Sequence, residues 1–165
     1  NDYIRASSPA LILGGGDFTI EGFTHMLGGT YAGTSAASIL VDMRNSEPSA
    51  NILLDIADNG TLRLYFNGSY VIYNQSSMKL RAGLTHWALE RYGNNLMLFV
   101  GGALAGSYAF SGSLNNDTLT LGGRYAAVSG DFRSLNGLVD EFRITKGVAR
   151  YTKTFTPPTE PFPNN

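Results

Sequence analysis

Hydrophobic and polar residues alternate along short segments of this chain, and glycines separate one segment from the next. In the segment Asp17–His25, the apolar residues Phe18 and Ile20 have polar neighbours on both sides. This period of two, with many Val, Ile, Thr, Tyr and Phe, predicts a β-strand with one buried face. Further segments with this character are predicted to be strands: Ser38–Arg44, Asn51–Ile56, Thr61–Phe66, Ser69–Tyr73, Thr85–Tyr92, Asn95–Gly101, Ala103–Phe110, Thr118–Gly122 and Gly137–Thr145. No segment keeps the apolar spacing of a helix over three turns, so the pattern predicts an all-β fold.

Asparagine and glycine occur together at three places between the predicted strands. Asp58-Asn59-Gly60, Phe66-Asn67-Gly68 and Gly93-Asn94-Asn95 suit hairpin turns, because both residue types accept a positive φ at low cost. About ten short strands joined in this way are typical of an antiparallel sandwich or barrel.

Alternation also assigns side chains to faces. In Thr85–Tyr92, Trp87 and Leu89 share one face, whereas His86 and Glu90 share the other. The following run, Leu96–Val100, is apolar on both faces, which indicates an inner strand or one that a loop covers.

The last predicted strand leads into a proline-rich tail. Strict alternation places Leu138, Asp140, Phe142 and Ile144 on one face, so Asp140 lies in a mainly apolar row where a carboxylate needs partners. We expect Asp140 to accept backbone or hydroxyl hydrogen bonds that hold the turn into the tail; a role as a ligand for a cation or another group is the alternative. The tail, Thr154–Asn165, holds four of the six prolines and is expected to run extended across the surface or to lead into a linker.

Composition narrows the class of protein. The 165 residues suit one domain, and 12 basic against 13 acidic side chains give a net charge of −1, which argues against duplex nucleic acid as a partner. The run Leu96–Val100 is far shorter than the roughly 20 residues of a membrane-spanning helix, so we expect no membrane insertion. Because the chain has no cysteine, it has neither disulfides nor thiolate zinc ligands.

Three segments, Asp17–Phe23, Thr85–Gly106 and Gly137–Pro158, resemble laminin-G-like, concanavalin A-like jelly-roll modules, which are common in bacterial surface proteins and phage structural proteins. The first looks like the family's FTIE-x-W strand with Phe in place of Trp. The last looks like the closing strand and tail of a subgroup frequent in phage tail and virion proteins. The resemblance covers residues 2–163 and implies an antiparallel β-sandwich of two sheets over residues 1–153, with a tail over 154–165.

The same resemblance implies a further strand ahead of Asp2-Tyr3-Ile4. We therefore hypothesise that the chain is cut from a longer polypeptide, or that a partner supplies a strand and covers the exposed N-terminal edge.

Catalytic patterns are missing from the sequence. Glucanases on this fold carry two carboxylates on one face of one strand, at the separation that a retaining mechanism needs. Here Asp140 and Glu141 are adjacent and point to opposite faces, while Asp55 and Asp58 straddle the end of a strand. The two histidines are not accompanied by a G-x-S-x-G elbow. We predict that the protein is not an enzyme.

Calcium is the one cofactor that the resemblance raises. Several laminin-G-like modules bind Ca²⁺ through an Asp just before a middle strand, and the comparable place here is Asn51. Asp117 and Asp131 lie in polar loops and offer further oxygen ligands, although solvated loop carboxylates are the other interpretation.

Aromatic platforms with polar neighbours are typical of sugar-binding surfaces. Tyr65, Tyr70 and Tyr73 bracket one predicted hairpin, and Tyr125 stands beside Arg124 in a long loop. A long loop has little structural need for either of those two side chains, so they are the stronger candidates. The tyrosines on strands could instead be residues at the edge of the core.

We predict a non-catalytic recognition or adhesion module that binds cell-surface glycan, at the surface of a phage particle or a bacterial cell. The alternative is a structural decoration or tail-assembly domain that contacts other virion subunits and binds no sugar.

Overall fold

The computed structural model describes residues 3–28, 37–44, 51–74, 78–124 and 133–163. Within these ranges the chain forms β-strands, one short 3₁₀ turn at Pro9–Leu11 and no α-helix. The strands are β1 (Ile4–Ser7), β2 (Phe18–Met26), β3 (Ser38–Asp42), β4 (Leu53–Ile56), β5 (Leu62–Phe66), β6 (Ser69–Tyr73), β7 (Thr85–Tyr92), β8 (Asn95–Val100), β9 (Ala103–Ala109), β10 (Thr118–Leu121) and β11 (Gly137–Lys146). Every segment predicted to be a strand overlaps an observed strand, although β2 and β11 each extend one residue further. Strand β1 was not among the predicted segments, because its four residues are all exposed and show no alternation.

The strands form two antiparallel sheets. The first sheet has the order β1-β10-β3-β4-β5-β6 and the second has the order β11-β2-β7-β8-β9. Every paired neighbour is antiparallel. The predicted all-β, two-sheet sandwich is therefore confirmed.

The hydrophobic core lies between the two sheets. Leu54 and Leu64 face it from the first sheet, and Trp87 and Leu98 face it from the second. Trp87 is fully buried, and its indole Nε1 donates a hydrogen bond of 2.9 Å to Thr24 Oγ1, which satisfies the one polar atom of the side chain. Strand β8 faces the core with one row of side chains, and on its outer face Phe99 contacts Phe155 of the tail, which explains its two apolar faces.

The turn between β5 and β6 has the geometry that its sequence predicts. Asn67 and Gly68 have φ values of 48° and 85°, so both occupy the left-handed region that a tight hairpin requires. This turn places Tyr65 and Tyr70 side by side on adjacent strands.

Strict alternation fails in β11, and the predicted face of Asp140 is wrong. Between the pairs Asp140–Phe23 and Arg143–Glu21, two residues of β11 oppose the single Gly22 of β2. This bulge inverts the alternation, so that the core contacts come from Val139, Phe142 and Ile144. Asp140 is exposed, and its Oδ1 accepts the local N–H of Glu141 at 2.9 Å.

Glu141 has the role expected of Asp140. Its backbone has a φ of 51°, and its Oε2 accepts a 2.6 Å hydrogen bond from the backbone N–H of Phe162 in the tail. The bulge therefore aims the carboxylate of the following residue at the tail.

The described part of the proline-rich tail crosses the outer face of the second sheet. Phe155 stacks on Tyr151 with ring centroids 3.6 Å apart, and both rings meet the ring of His86 at their edges. The N–H of Phe155 donates to the carbonyl of Gly102 at 3.0 Å, and Phe162 is buried. The division of the chain at residue 153 stays a prediction.

Strand β1 forms one edge of the first sheet. It pairs with β10 on one side, and Ile4 is 67% exposed. A partner strand at this edge stays a prediction.

Candidate functional site

Two rows of side chains cross the outer face of the first sheet. The antiparallel register aligns Asp55 of β4 with Arg63 of β5 and Tyr73 of β6. The neighbouring row contains Tyr65 and Tyr70, which are paired across the β5–β6 hairpin. Because residues two apart share a face, these polar and aromatic groups project away from the core side of each strand.

A buried carboxylate anchors the first row. Asp55 is 1% exposed, and its two oxygens accept hydrogen bonds from Arg63 Nε at 2.7 Å and Nη2 at 3.0 Å. The hydroxyl of Tyr70 also donates to Asp55. Burial lowers the pKa of Arg63, but the hydrogen bond with Asp55 and the charge of that carboxylate, with smaller contributions from Tyr70 and Tyr73, more than offset this, so that the pKa is raised overall. Burial and the neighbouring carboxylate both raise the pKa of Tyr70. The guanidinium is therefore held as a fixed cation, and the phenol stays protonated.

The three tyrosines form a ladder of rings. The centroids of Tyr65 and Tyr70 are 5.2 Å apart, and those of Tyr70 and Tyr73 are 5.6 Å apart. The guanidinium carbon of Arg63 lies 4.2 Å from the Tyr70 centroid. Tyr73 is 43% exposed, whereas Tyr65 and Tyr70 are half-buried. The ladder offers apolar ring surface to a ligand while hydrogen bonds fix its central ring.

A cleft of about 150 Å³ opens beside this ladder, and we call it the arginine cleft. Its described lining residues are Ile39, Arg44, Leu53, Tyr65, Tyr70, Arg124 and Arg133. Three of the predicted ligand residues, Tyr65, Tyr70 and Arg124, thus meet in one place although they come from separate parts of the chain. Tyr125 lies outside the described residues.

Arg44 is held by a carboxylate from its own segment of the chain. It is 4% exposed, and its Nε and Nη2 donate to the carboxylate of Asp42 at 2.9 and 2.8 Å. The backbone N–H of Arg44 donates to the same carboxylate at 3.0 Å. The guanidinium carbon lies 5.8 Å from the ring centroid of Tyr65, so it borders the ladder.

A second cleft of about 330 Å³ lies on the other side of Arg63, and we call it the lysine cleft. Its described lining residues are Ala57, Asn59, Thr61, Arg63, Tyr73, Asn74 and Lys79. Lys79 Nζ donates to Thr61 Oγ1 at 3.0 Å. Tyr73, also predicted from the sequence, lines this cleft and not the arginine cleft.

The structure describes two of the three calcium candidates. Asn51 is 9% exposed, and the backbone carbonyl of Asp117 accepts a hydrogen bond from Ser8. Asp131 lies outside the described ranges. The described part of the chain contains no group of three or more His, Cys, Asp or Glu residues placed to hold a metal ion. Calcium binding stays a prediction.

A second polar cluster lies on the outer face of the second sheet, under the tail. Glu21 is fully buried, and its Oε1 accepts from Arg143 Nη2 at 2.7 Å. Its Oε2 accepts from Tyr151 Oη at 2.9 Å and lies 3.2 Å from His86 Nε2. Burial raises the pKa of Glu21, but the hydrogen bonds from His86, Arg143 and Tyr151 hold it below its ordinary value. Glu21 is therefore a structural anion shared between the sheet and the tail.

Glu90 lies on the same face, but its carboxylate has fewer hydrogen-bond partners than that of Glu21. Its Oε2 is 2.6 Å from Thr19 Oγ1 and accepts the N–H of Arg150 at 3.0 Å. Among the described residues, its Oε1 is buried without a hydrogen-bond partner. Burial and, to a smaller extent, the charge of Glu21 together raise the pKa of Glu90 to about 7, against the hydrogen bonds from Thr19 and Arg150 that lower it. A protonated Glu90 can donate to Thr19, whose hydroxyl is then free to donate to the carbonyl of Val148 at 2.9 Å.

Replacing Glu90 with Gln is expected to flatten the dependence of stability on pH. A carboxyl group whose pKa is higher in the folded chain binds its proton more tightly there, so stability falls as pH rises from 4.5 to about 7. The loss attributable to Glu90 amounts to about 3 kcal/mol across that window. Urea unfolding of both proteins at pH 5 and pH 8 measures it. If the wild type and the variant lost the same stability between pH 5 and pH 8, the prediction would be wrong.

Residue type alone identified the tyrosines and Arg124, but not the residues that complete the clefts. Arg44, Arg63 and Arg133 lie near a tyrosine only because of strand register and loop packing. Lys79 reaches its cleft from the segment between β6 and β7. The alternation in β4 and β5, which placed Asp55 and Arg63 on an outer face, is the one signal that could have found this pair.

No helix in the described residues is both long and apolar enough to cross a membrane.

Comparison with known proteins gives consistent matches for the fold. A family model described as the concanavalin A-like lectin/glucanases superfamily matches residues 1–150. No curated protein sequence matches the chain.

Solved structures from animals and bacteria are similar to this chain. Domains LG4-5 of the mouse laminin α1 chain match with a TM-score of 0.64 and 17% identity, over 97% of this chain and 45% of that chain. Domain 4 of an extracellular arabinanase from Geobacillus stearothermophilus, solved in complex with arabinotriose, matches with a TM-score of 0.60 and 14% identity, over 92% of this chain and 70% of that domain. The carbohydrate-binding module CBM66 from Bacillus subtilis matches with a TM-score of 0.53 and 14% identity, over 86% of this chain and 80% of that module. The chain spans less than half of the laminin fragment, and at these identities the likeness shows the fold alone.

Proposed function

This chain belongs to the concanavalin A-like lectin/glucanase superfamily, and from that premise we propose that it is a non-catalytic module that binds glycan. The observation that carries the proposal is the meeting of Tyr65, Tyr70 and Arg124 in the arginine cleft. Each was selected from the sequence for its chemistry alone, and the fold brings them together.

The chemistry of the cleft suits a saccharide. Tyrosine rings offer flat apolar surface to the C–H faces of a sugar, and guanidinium groups donate hydrogen bonds to its hydroxyl oxygens. Two of the similar structures support this reading by their names, one as a carbohydrate-binding module and one as a domain in complex with arabinotriose.

The buried carboxylates support a module without catalysis. Glu21 and Glu90 share an outer face, but both are fully buried and both are hydrogen-bonded to the tail. Glycoside hydrolysis needs its carboxyl groups within reach of the substrate. Here Tyr151 and Phe155 cover the face on which they lie.

We place the module outside the cell, on a phage particle or a bacterial surface, because of the resemblance of its closing segment to phage tail and virion proteins. Other subunits of such a particle would be its protein partners.

Replacing Tyr65 with Ala is expected to weaken glycan binding at least tenfold. Truncation of a central aromatic contact commonly costs more than about 1.4 kcal/mol of binding free energy, which is a factor of ten. A glycan array with the wild-type protein identifies the ligand, and titration calorimetry with that ligand measures the loss. Arg124→Ala, which removes a different side chain from the lining of the same cleft, should weaken the binding of the same ligand.

Tyr92→Ala is the matched control. This tyrosine is 53% exposed at the end of β7 on the other sheet. Equal affinities for the wild type, Tyr65→Ala and Arg124→Ala, with all three proteins folded by circular dichroism, would contradict the site. A glycan array without any signal, together with binding to a capsid or tail protein, would favour the structural alternative.

A further inference from the structure

The arginines that line the two clefts already have partners within the protein. Arg44 Nη2 lies 2.8 Å from Asp42 Oδ2, Arg63 Nε lies 2.7 Å from Asp55 Oδ1, and both carboxylates are buried. The other two arginines of the arginine cleft also interact with groups of the chain. An anionic ligand would gain little from a guanidinium group that a buried carboxylate already neutralises, so the clefts suit a ligand that is polar but uncharged.

The lysine cleft keeps hydrogen-bond donors for such a ligand. Nε and Nη2 of Arg63 donate to Asp55, and its Nη1 has no partner among the described residues. Thr61 Oγ1 accepts a hydrogen bond from Lys79 and keeps its own hydroxyl proton to donate. Asn59 Oδ1 accepts the N–H of Thr61 at 3.0 Å, which leaves the amide NH₂ group of Asn59 to donate. Three donors at one cleft match the hydroxyl oxygens of a sugar.

One wall of aromatic rings continues from the arginine cleft into the lysine cleft. Tyr65 and Tyr70 line the first cleft, and Tyr73, which is 43% exposed, lines the second. The ring centroids of Tyr70 and Tyr73 are 5.6 Å apart. The clefts adjoin at Arg63, which lines the lysine cleft and lies 4.2 Å from the ring centroid of Tyr70. Successive units of a linear glycan each have an apolar C–H face, so this wall suits two or more units of one chain.

The volumes of the clefts also favour a ligand longer than one sugar unit. Pockets for small ligands typically measure about 300–1,000 Å³. The arginine cleft, at about 150 Å³, is below this range, and the lysine cleft, at about 330 Å³, is at its lower end. Together the adjoining clefts give an oligosaccharide the contact surface that neither cleft gives alone.

We infer that the lysine cleft is a second sugar subsite, and that the ligand is an uncharged, linear oligosaccharide that lies along the three tyrosines with at least one unit in each cleft. This inference rests on the proposed glycan-binding function and specifies the class of ligand for the same face.

The test measures affinity against the length and the charge of the glycan. The probes are cello-, galacto- and arabino-oligosaccharides of one to six units, with oligogalacturonates of the same lengths as an acidic series. We expect a neutral series to gain at least tenfold in affinity from one unit to three, because the longer chain contacts both clefts, and to gain little beyond that length. Added salt should leave the affinity for the neutral series unchanged.

Variants of the lysine cleft test its part in the gain with length. Tyr73→Ala should lose most of that gain, because it removes the aromatic surface of the second subsite. Thr61→Val keeps the shape of the side chain and removes the hydroxyl, so it should weaken binding of the three-unit probe about threefold to tenfold. Tyr92→Ala, on the other sheet, is the matched control and should keep the full gain. Circular dichroism verifies that each variant is folded.

Each outcome has one meaning. Equal affinity at every length, or a full gain with length in both Tyr73→Ala and Thr61→Val, would overturn the inference and leave the proposed function standing. Binding of charged glycans alone would also overturn only the inference. No binding to any glycan, in these series or on the array, would overturn the proposed function itself.

Discussion

Replacing Glu21 with Gln is expected to lower the free energy of unfolding by about 3–5 kcal/mol, because it breaks a buried charge network on one side only. Arg143, His86 and Tyr151 all direct polar atoms at this carboxylate. A neutral amide cannot compensate the Arg143 guanidinium, and its NH₂ group would face donors. Urea unfolding at pH 7 measures the loss.

Acid should reproduce this effect in the wild type. Because the folded chain depresses the pKa of Glu21, the stabilisation is present above the pKa of the unfolded chain, 4.5, and is lost as pH falls through the folded value. The Glu21→Gln protein should therefore lose less stability than the wild type below about pH 4.5.

Glu90→Gln is the matched control for Glu21→Gln. The substitution is the same, on the same buried face, but burial raises the pKa of Glu90 and partners lower that of Glu21. At pH 8 the Glu90 variant should be at least as stable as the wild type. Similar losses in the two variants would contradict the assignment of Glu21 as the structural anion.

Replacing Gly102 with Ala is expected to destabilise the protein by about 3–4 kcal/mol and to release the tail from the second sheet. A Cβ at this position would lie 2.0 Å from the carbonyl oxygen of Phe155, which is backbone and cannot rotate away. Gly102 also has a φ of 79°, where a side chain adds strain of about 1–2 kcal/mol. Urea unfolding measures stability, and the rate of limited proteolysis after Lys153 measures release of the tail.

Gly68→Ala separates the effect of backbone strain from the effect of steric overlap with Phe155. Gly68 has a φ of 85°, close to that of Gly102, but no atom lies within 4 Å of the position of its Cβ. We expect it to lose only the strain energy and to keep the tail resistant to protease. Equal losses in the two alanine variants, with the tail protected in both, would show that contact with Phe155 does not limit this position.

The sequence was sufficient for the fold where burial follows a period of two. In β7, for example, Trp87 faces the core and His86 faces outward, as alternation predicts. Alternation failed at Glu141, because a bulge depends on the partner strand and leaves no mark in the spacing of apolar residues. Strand β1 was not predicted because none of its side chains is buried. Only its pairing with β10 defines it as a strand.

The candidate site was predictable by residue type and not by geometry. Tyr65 and Tyr70 were singled out because, with Tyr73, they bracket one hairpin. Their association with Arg44 and Arg133 depends on contacts between segments far apart in the sequence. The Glu21 cluster was missed because its partner Arg143 is 122 residues away, so no local motif records it.

The pairing of β2 with β11 sets the order in which the chain can complete its structure. During synthesis β2 emerges well before its neighbour β11 and before the covering residues Tyr151 and Phe162. Until then Glu21 is a carboxylate without its arginine, on a sheet with an open edge. The chain should therefore fold late, slowly and as one cooperative unit, since contacts of such long range must form together. A ribosome-bound chain that stops before residue 143 would present its second sheet unfinished to any other strand nearby.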